Sequence, residues 1–124
     1  MRIATWNVNS IKQRLDSART WLAERKPDIV CLQETKQADA KFPTADFTSL
    51  GYESAHHGDG RWNGVALLSR IGLTDIVRGF GTDLDDHVVR AQPRGGDGLA
   101  DLGALDELLE PGGAVESLAQ DQER

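Results

Sequence analysis

Apolar positions in the first third of the chain form two short runs separated by a helical repeat. Ile3-Ala4-Thr5-Trp6-Asn7 and Ile29-Val30-Cys31-Leu32-Gln33-Glu34 combine β-forming residues with a polar end, the pattern of buried strands that finish at a sheet edge. Between them, Ile11, Leu15, Ala18, Trp21 and Leu22 recur at helical spacing, with Lys12, Arg14, Asp16, Arg19 and Glu24 opposite. Asn9 or Ser10 offers an N-cap, and Pro27 disfavours helical geometry at Lys26, so the helix ends near Arg25. The result is a β-α-β unit. Its crossover makes the two strands parallel neighbours and opens both carboxyl ends on one sheet edge, where Asn7 and Glu34 stand side by side.

Further along, Ala45 to Leu50 reads as a short helix closed by Gly51, and Tyr52 to His57 as a strand. The Gly-rich stretch from Gly58 to Gly64 joins that strand to the apolar run Val65 to Ser69 as a hairpin, and Thr74 to Arg78 offers one more strand. After Asp83 the character changes. Pro93-Arg94-Gly95-Gly96-Asp97-Gly98 is a breaker cluster. A leucine stripe (Leu99, Leu102, Leu105, Leu108, Leu109) predicts one helix over 99–110, and the acidic stretch from Ala114 to Arg124 is expected to fray.

Composition sharpens that division. Residues 1 to 83 hold 11 Lys/Arg and 10 Asp/Glu, against 3 and 10 in residues 84 to 124, and all seven aromatic residues lie between Trp6 and Phe80. The expected organisation is a partial α/β domain over 1–83 and a divergent acidic Gly/Leu-rich tail over 84–124, disordered outside its one helix. The single Cys31 excludes an intramolecular disulfide and fits a reduced, cytoplasmic compartment. No apolar run reaches membrane-spanning length, so no membrane partner is expected.

A lone carboxylate at a sheet edge suits Mg²⁺, which keeps most of its waters and needs one or two protein carboxylates beside substrate phosphate. His56-His57 is a poor chelating pair, because adjacent strand residues point to opposite faces. Arg61-Trp62-Asn63 places a cation beside an aromatic ring, a combination that touches nucleic-acid backbones and also occurs at ordinary hairpin tips.

Three blocks in order make a family resemblance specific: Thr5-Trp6-Asn7-Val8-Asn9-Ser10, Pro27-Asp28-Ile29-Val30-Cys31-Leu32-Gln33-Glu34-Thr35-Lys36, and His57-Gly58 through Trp62-Asn63-Gly64-Val65-Ala66-Leu67-Leu68-Ser69. Together they resemble the amino-terminal part of exonuclease III, an apurinic/apyrimidinic endonuclease of the endonuclease/exonuclease/phosphatase superfamily. The resemblance implies the N-terminal part of a four-layered α/β sandwich of the DNase I-like kind. It further implies Mg²⁺-dependent (or Mn²⁺-dependent) hydrolysis of phosphodiesters in double-stranded DNA at abasic sites and 3′ ends. On the same ground Glu34 matches the metal-binding glutamate, and Asn7 the catalytic-site asparagine that ties metal and phosphate together. Arg61, Trp62 and Asn63 are weaker candidates for substrate contact.

The family's remaining blocks do not appear. There is no tyrosine followed by Pro-Asn, no Gly-Asp-Phe/Met-Asn, and no Ser-Asp-His-x-Pro; Asp85-Asp86-His87 lacks the proline and comes too early. Loss of a general base alone costs roughly 100- to 10,000-fold. The sequence therefore predicts a truncated, inactive product, with a shifted reading frame after about Asp83 as one origin, and a lone sheet whose uncovered apolar face favours self-association. Another phosphodiesterase or phosphatase of the superfamily and a non-catalytic interaction module are the alternatives.

Overall fold

A computed structural model describes residues 2–60, 62–78, 88–93, 102–105 and 114–118. Strand β1 (Arg2–Asn7) leads into helix α1 (Ile11–Arg25), which returns the chain to β2 (Ile29–Gln33). Ser10 caps α1 by accepting from the Gln13 N–H at 3.3 Å, and Lys26 closes it in the left-handed region (φ 47°), its N–H bonded to the Leu22 carbonyl. β1 and β2 are parallel and in direct register, from Ile3 opposite Ile29 to Asn7 opposite Gln33. A 3₁₀ turn at Asp39–Lys41 and helix α2 (Thr44–Ser49) follow, then β3 (Glu53–His57) and β4 (Val65–Ser69), paired as the expected hairpin.

β4 also pairs antiparallel with β2, and β8 (Ala114–Leu118) pairs antiparallel with β1, giving a five-stranded mixed sheet of order β3-β4-β2-β1-β8. Alternation along β2 divides its side chains between two cores. Val30 and Leu32 join Ile11, Ala18, Leu22 and Phe47 under the helices, with Ala66 and Leu68 of β4. Cys31 faces the other way, with Ala55, Val65 and Leu67. Full burial of side chains such as Ile11, Leu22, Leu32 and Phe47 contributes roughly 1.5–3 kcal/mol each to stability. At the far edge of the sheet Asp28 accepts from the Arg2 backbone N–H at 2.7 Å and from Arg70 Nε at 2.9 Å, while the Tyr52 hydroxyl donates to the Pro27 carbonyl. These bonds clamp the starts of β1 and β2 to the end of β4.

Three expectations are corrected here. Strands β5 (Leu73–Arg78), β6 (Val88–Pro93) and β7 (Leu102–Leu105) form a second, antiparallel sheet, whose Leu73, Val89 and Ala91 close over Cys31, Ala55, Val65 and Leu67. The second face of the first sheet is thus packed rather than left bare. The helix expected over 99–110 is replaced, in its described part, by strand β7, and 114–118 is paired with β1 rather than frayed. A short apolar run can satisfy either period, and Gly103 within it costs a helix about 1 kcal/mol, so pairing with β6 decides. The described layers are helices, sheet and sheet, an α/β fold. Among the described residues no helix is long and apolar enough to cross a membrane.

Candidate functional site

The carboxyl ends of β1 and β2 are fastened to each other before any side chain is considered. Val8 N–H donates to the Gln33 carbonyl, Ser10 N–H to Glu34 and Ile11 N–H to Thr35, at 2.8–3.0 Å. From the opposite side, the hairpin accepts Thr35 N–H at Gly64 and Lys36 N–H at Asn63, at 3.0 and 2.7 Å. The segment Glu34-Thr35-Lys36 is therefore held between two loops.

Its backbone is unusual. Glu34 (φ 55°) and Lys36 (φ 52°) lie in the left-handed region, as do the neighbouring Asn9 (φ 45°) and Asn63 (φ 55°). Such conformations cost of order 1–3 kcal/mol each in a residue with a side chain and persist only where surroundings enforce them. The effect here is to turn the Glu34 side chain, 18% exposed, back toward β1.

Four side chains then close a polar ring. Asn7, fully buried, donates from Nδ2 to Glu34 Oε2 at 3.0 Å, and its Oδ1 accepts from the Asn9 N–H at 3.2 Å. Lys36 Nζ donates to Asn9 Oδ1 at 2.7 Å and stands 3.9 Å from Glu34 Oε1. The fixed amide orients one carboxylate oxygen, while the other has Lys36 Nζ as a loose ionic neighbour. That donor set suits a hard cation that takes one protein carboxylate and fills its shell with water and phosphate oxygens. Among the described residues no group of three or more His, Cys, Asp or Glu gathers to make a protein cage.

Behind Glu34, the Thr35 hydroxyl lies 2.7 Å from His56 Nε2, and His56 Nδ1 lies 2.7 Å from Asp39 Oδ1. The ring stacks on Phe42 with centroids 4.3 Å apart. Burial disfavours the charged imidazole and outweighs the Asp39 carboxylate, so the pKa of His56 is held below its ordinary value. Neutral His56 must donate from Nδ1, because a carboxylate only accepts; Nε2 then accepts from Thr35. The Asp39 contact is thus a hydrogen bond to a neutral ring near pH 7, not an ion pair.

Of the residues singled out from sequence, Asn7 and Glu34 are brought together. Trp62 is exposed at the hairpin tip (64%), and Asn63 touches the site through its backbone carbonyl. Arg61 lies outside the described residues, as does the Asp85-Asp86-His87 cluster. Thr35, Asp39, His56 and the Lys36–Asn9 bond were not anticipated. The sequence signal was a histidine within a strand-like run two residues before Gly58; the structure adds that a Cβ at Gly58 would stand 2.7 Å from the Gln37 carbonyl. Near the site, a cleft of about 340 Å³ is lined by Lys12, Leu15, Gln37, Lys41 and Pro43.

Comparison with known proteins agrees with this architecture. The chain is 37% identical over 86 residues to exodeoxyribonuclease III of Haemophilus influenzae, covering 69% of this chain and 32% of that protein. It therefore spans about a third of that relative's length. Among solved structures, an AP endonuclease from Archaeoglobus fulgidus is 43% identical with a TM-score of 0.73, over 77% of this chain and 38% of that one. The 3′ phosphatase NExo from Neisseria, bound to a product DNA hairpin, is 38% identical with a TM-score of 0.72 over the same shares. The model of the endonuclease/exonuclease/phosphatase family matches residues 4–122, through β6, β7 and β8, and the chain belongs to that family.

Proposed function

We propose that this chain carries the metal-holding half of an exonuclease III-like DNA-repair site. The observation that carries the reading is the 3.0 Å bond from Asn7 Nδ2 to Glu34 Oε2 at the ends of two adjacent parallel strands. In this reading Glu34 Oε1 binds Mg²⁺, with Mn²⁺ as a substitute, and Asn7 fixes the carboxylate. When bound, the ion would screen the substrate phosphate and stabilise the charge that develops during attack. Lys36 supplies a positive charge beside the phosphate. In this reading the hairpin-tip Trp62 and Asn63, with their sequence neighbour Arg61, contact the DNA backbone, and Lys12 and Lys41 of the neighbouring cleft add positive charge for it. The substrate is double-stranded DNA with abasic sites or 3′ ends.

In this reading the site residues orient a metal and a phosphate, and none of the described residues is placed to take a proton from water. Among the described residues His56 is the imidazole bonded to this segment, and it is buried and already bonded on both nitrogens. The chain alone is therefore expected to leave an abasic duplex intact. Incubation of the chain with a 5′-labelled abasic duplex in Mg²⁺ should give nicking at background. Strong Mg²⁺-dependent nicking that disappears in Glu34→Gln would show a complete catalytic site and overturn the half-site reading.

A further inference from the structure

The Thr35, His56 and Asp39 side chains have the connectivity of a hydroxyl–imidazole–carboxylate triad, with both links at 2.7 Å. That arrangement serves nucleophilic catalysis elsewhere, but here the hydroxyl has no access to a substrate. Thr35 is fully buried, and Gly64 lies so close over it that a Cβ there would stand 2.3 Å from Thr35 Oγ1. Only Asp39, at the far end, is well exposed (54%). The hydrogen bonds run in the same direction as in a triad, from Thr35 to His56 to Asp39, but the imidazole is sealed by the stacked Phe42 ring.

The connections on the other side of Thr35 give the chain of bonds its purpose. Thr35 is flanked by Glu34 and Lys36, both at positive φ, and its N–H and carbonyl bond to Gly64 and Ile11. Asp39 Oδ1 in turn accepts from the Gly58 N–H at 3.0 Å, tying the start of the hairpin loop to the same ring. We propose that Thr35, His56 and Asp39 are positioning residues: a hydrogen-bonded relay that pins the Glu34–Lys36 turn in its left-handed geometry and so aims the Glu34 carboxylate at Asn7. The consequence for metal affinity rests on the assignment of Glu34 as metal ligand; the ordering of the turn does not.

Backbone amide exchange by NMR separates this role from a general contribution to folding. Thr35→Val removes the hydroxyl at nearly constant volume. It should lower the protection of the Lys36, Thr35, Ser10 and Ile11 amides by about tenfold or more, while Val30 and Leu32 in β2 change by less than about twofold. Thr35→Ser, which keeps the hydroxyl, should restore wild-type protection. Asp39→Asn, at an exposed position, should loosen the same amides less than Thr35→Val does. Mn²⁺ affinity, read by electron paramagnetic resonance, should fall by about 10- to 100-fold in Thr35→Val and recover in Thr35→Ser, as for other partners that orient a metal ligand. Uniform loss of protection through β2, or none at the four amides in both Thr35→Val and Asp39→Asn, overturns the relay. If Glu34→Gln binds Mn²⁺ as tightly as wild type, the ligand assignment fails instead, and the amide pattern still decides the relay.

Discussion

Gly64→Ala tests whether the close approach of the hairpin to Thr35 is the contact that shapes the site. Two penalties combine at this position. Gly64 sits at φ 96°, where an alanine is strained by roughly 1–2 kcal/mol. Its new Cβ would also meet Thr35 Oγ1 at 2.3 Å. Thr35 cannot swing aside freely, since it is β-branched, fully buried and bonded to His56. Moving it breaks a bond worth about 0.5–1.5 kcal/mol, or about 1–3 kcal/mol if a buried group is left unpaired. The expected loss is about 2–5 kcal/mol. Gly51→Ala is the internal control: at φ 92° it carries the same backbone penalty, but nothing lies within 4 Å of the added carbon. Urea unfolding followed by tryptophan fluorescence should place Gly51→Ala about 1–2 kcal/mol below wild type and Gly64→Ala at least about 1 kcal/mol further down. Adding Thr35→Ala to Gly64→Ala should cost less than the sum of the two, because the overlap is relieved. Equal losses for the two glycine variants, or strict additivity with Thr35→Ala, would refute the argument.

Burial and charge also set the response of the fold to pH and to thiol reagents. Because the pKa of His56 is lowered on folding, the unfolded chain binds the extra proton. Its contribution to stability is complete above the ordinary histidine pKa, near 6.5, and is lost as pH falls below that toward the folded value; denaturation midpoints between pH 5 and 8 should show this slope, and His56→Asn should flatten it. Burial works to raise the pKa of Asp28, but the Arg2 N–H and Arg70 together outweigh it and leave the value lowered, so a second loss belongs below about pH 4, and Arg70→Met should shrink it. Burial pushes the Cys31 thiol up to about 12, so a thiol reagent at pH 8 should react with the folded protein only at the rate at which it opens; prompt labelling of the native state would contradict that placement.

The parts of this fold legible in the sequence were those fixed by local periodicity and local breakers. The alternation of β1 and β2, the stripe and caps of α1, and the Gly-rich turn before Val65 each determine an element from a few neighbouring residues, and the parallel pairing of β1 with β2 follows from the crossover. The juxtaposition of Asn7 and Glu34 was readable for that reason. β6, β7 and β8 were not, because each gains its identity from a distant partner: β8 from β1, and β7 from β6. A leucine stripe interrupted by Gly103 carries no information about that pairing. The relay was hidden for a similar cause. Thr35 and His56 are 21 positions apart, and only the hairpin register, with His56 opposite Ala66 and His57 opposite Val65, brings the imidazole under the Glu34 turn.

The central claim is that Glu34, steadied by Asn7, is the point at which this chain holds a divalent cation. The most direct measurement is a Mn²⁺ titration by electron paramagnetic resonance of wild type, Glu34→Gln and Asn7→Ala, with unfolding curves to confirm that each variant is folded. One saturable site is expected in wild type, lost in Glu34→Gln and weakened in Asn7→Ala, where the Glu34 carboxylate loses its amide donor. A wild-type titration without a saturable site, or one that Glu34→Gln leaves unchanged, would contradict the account.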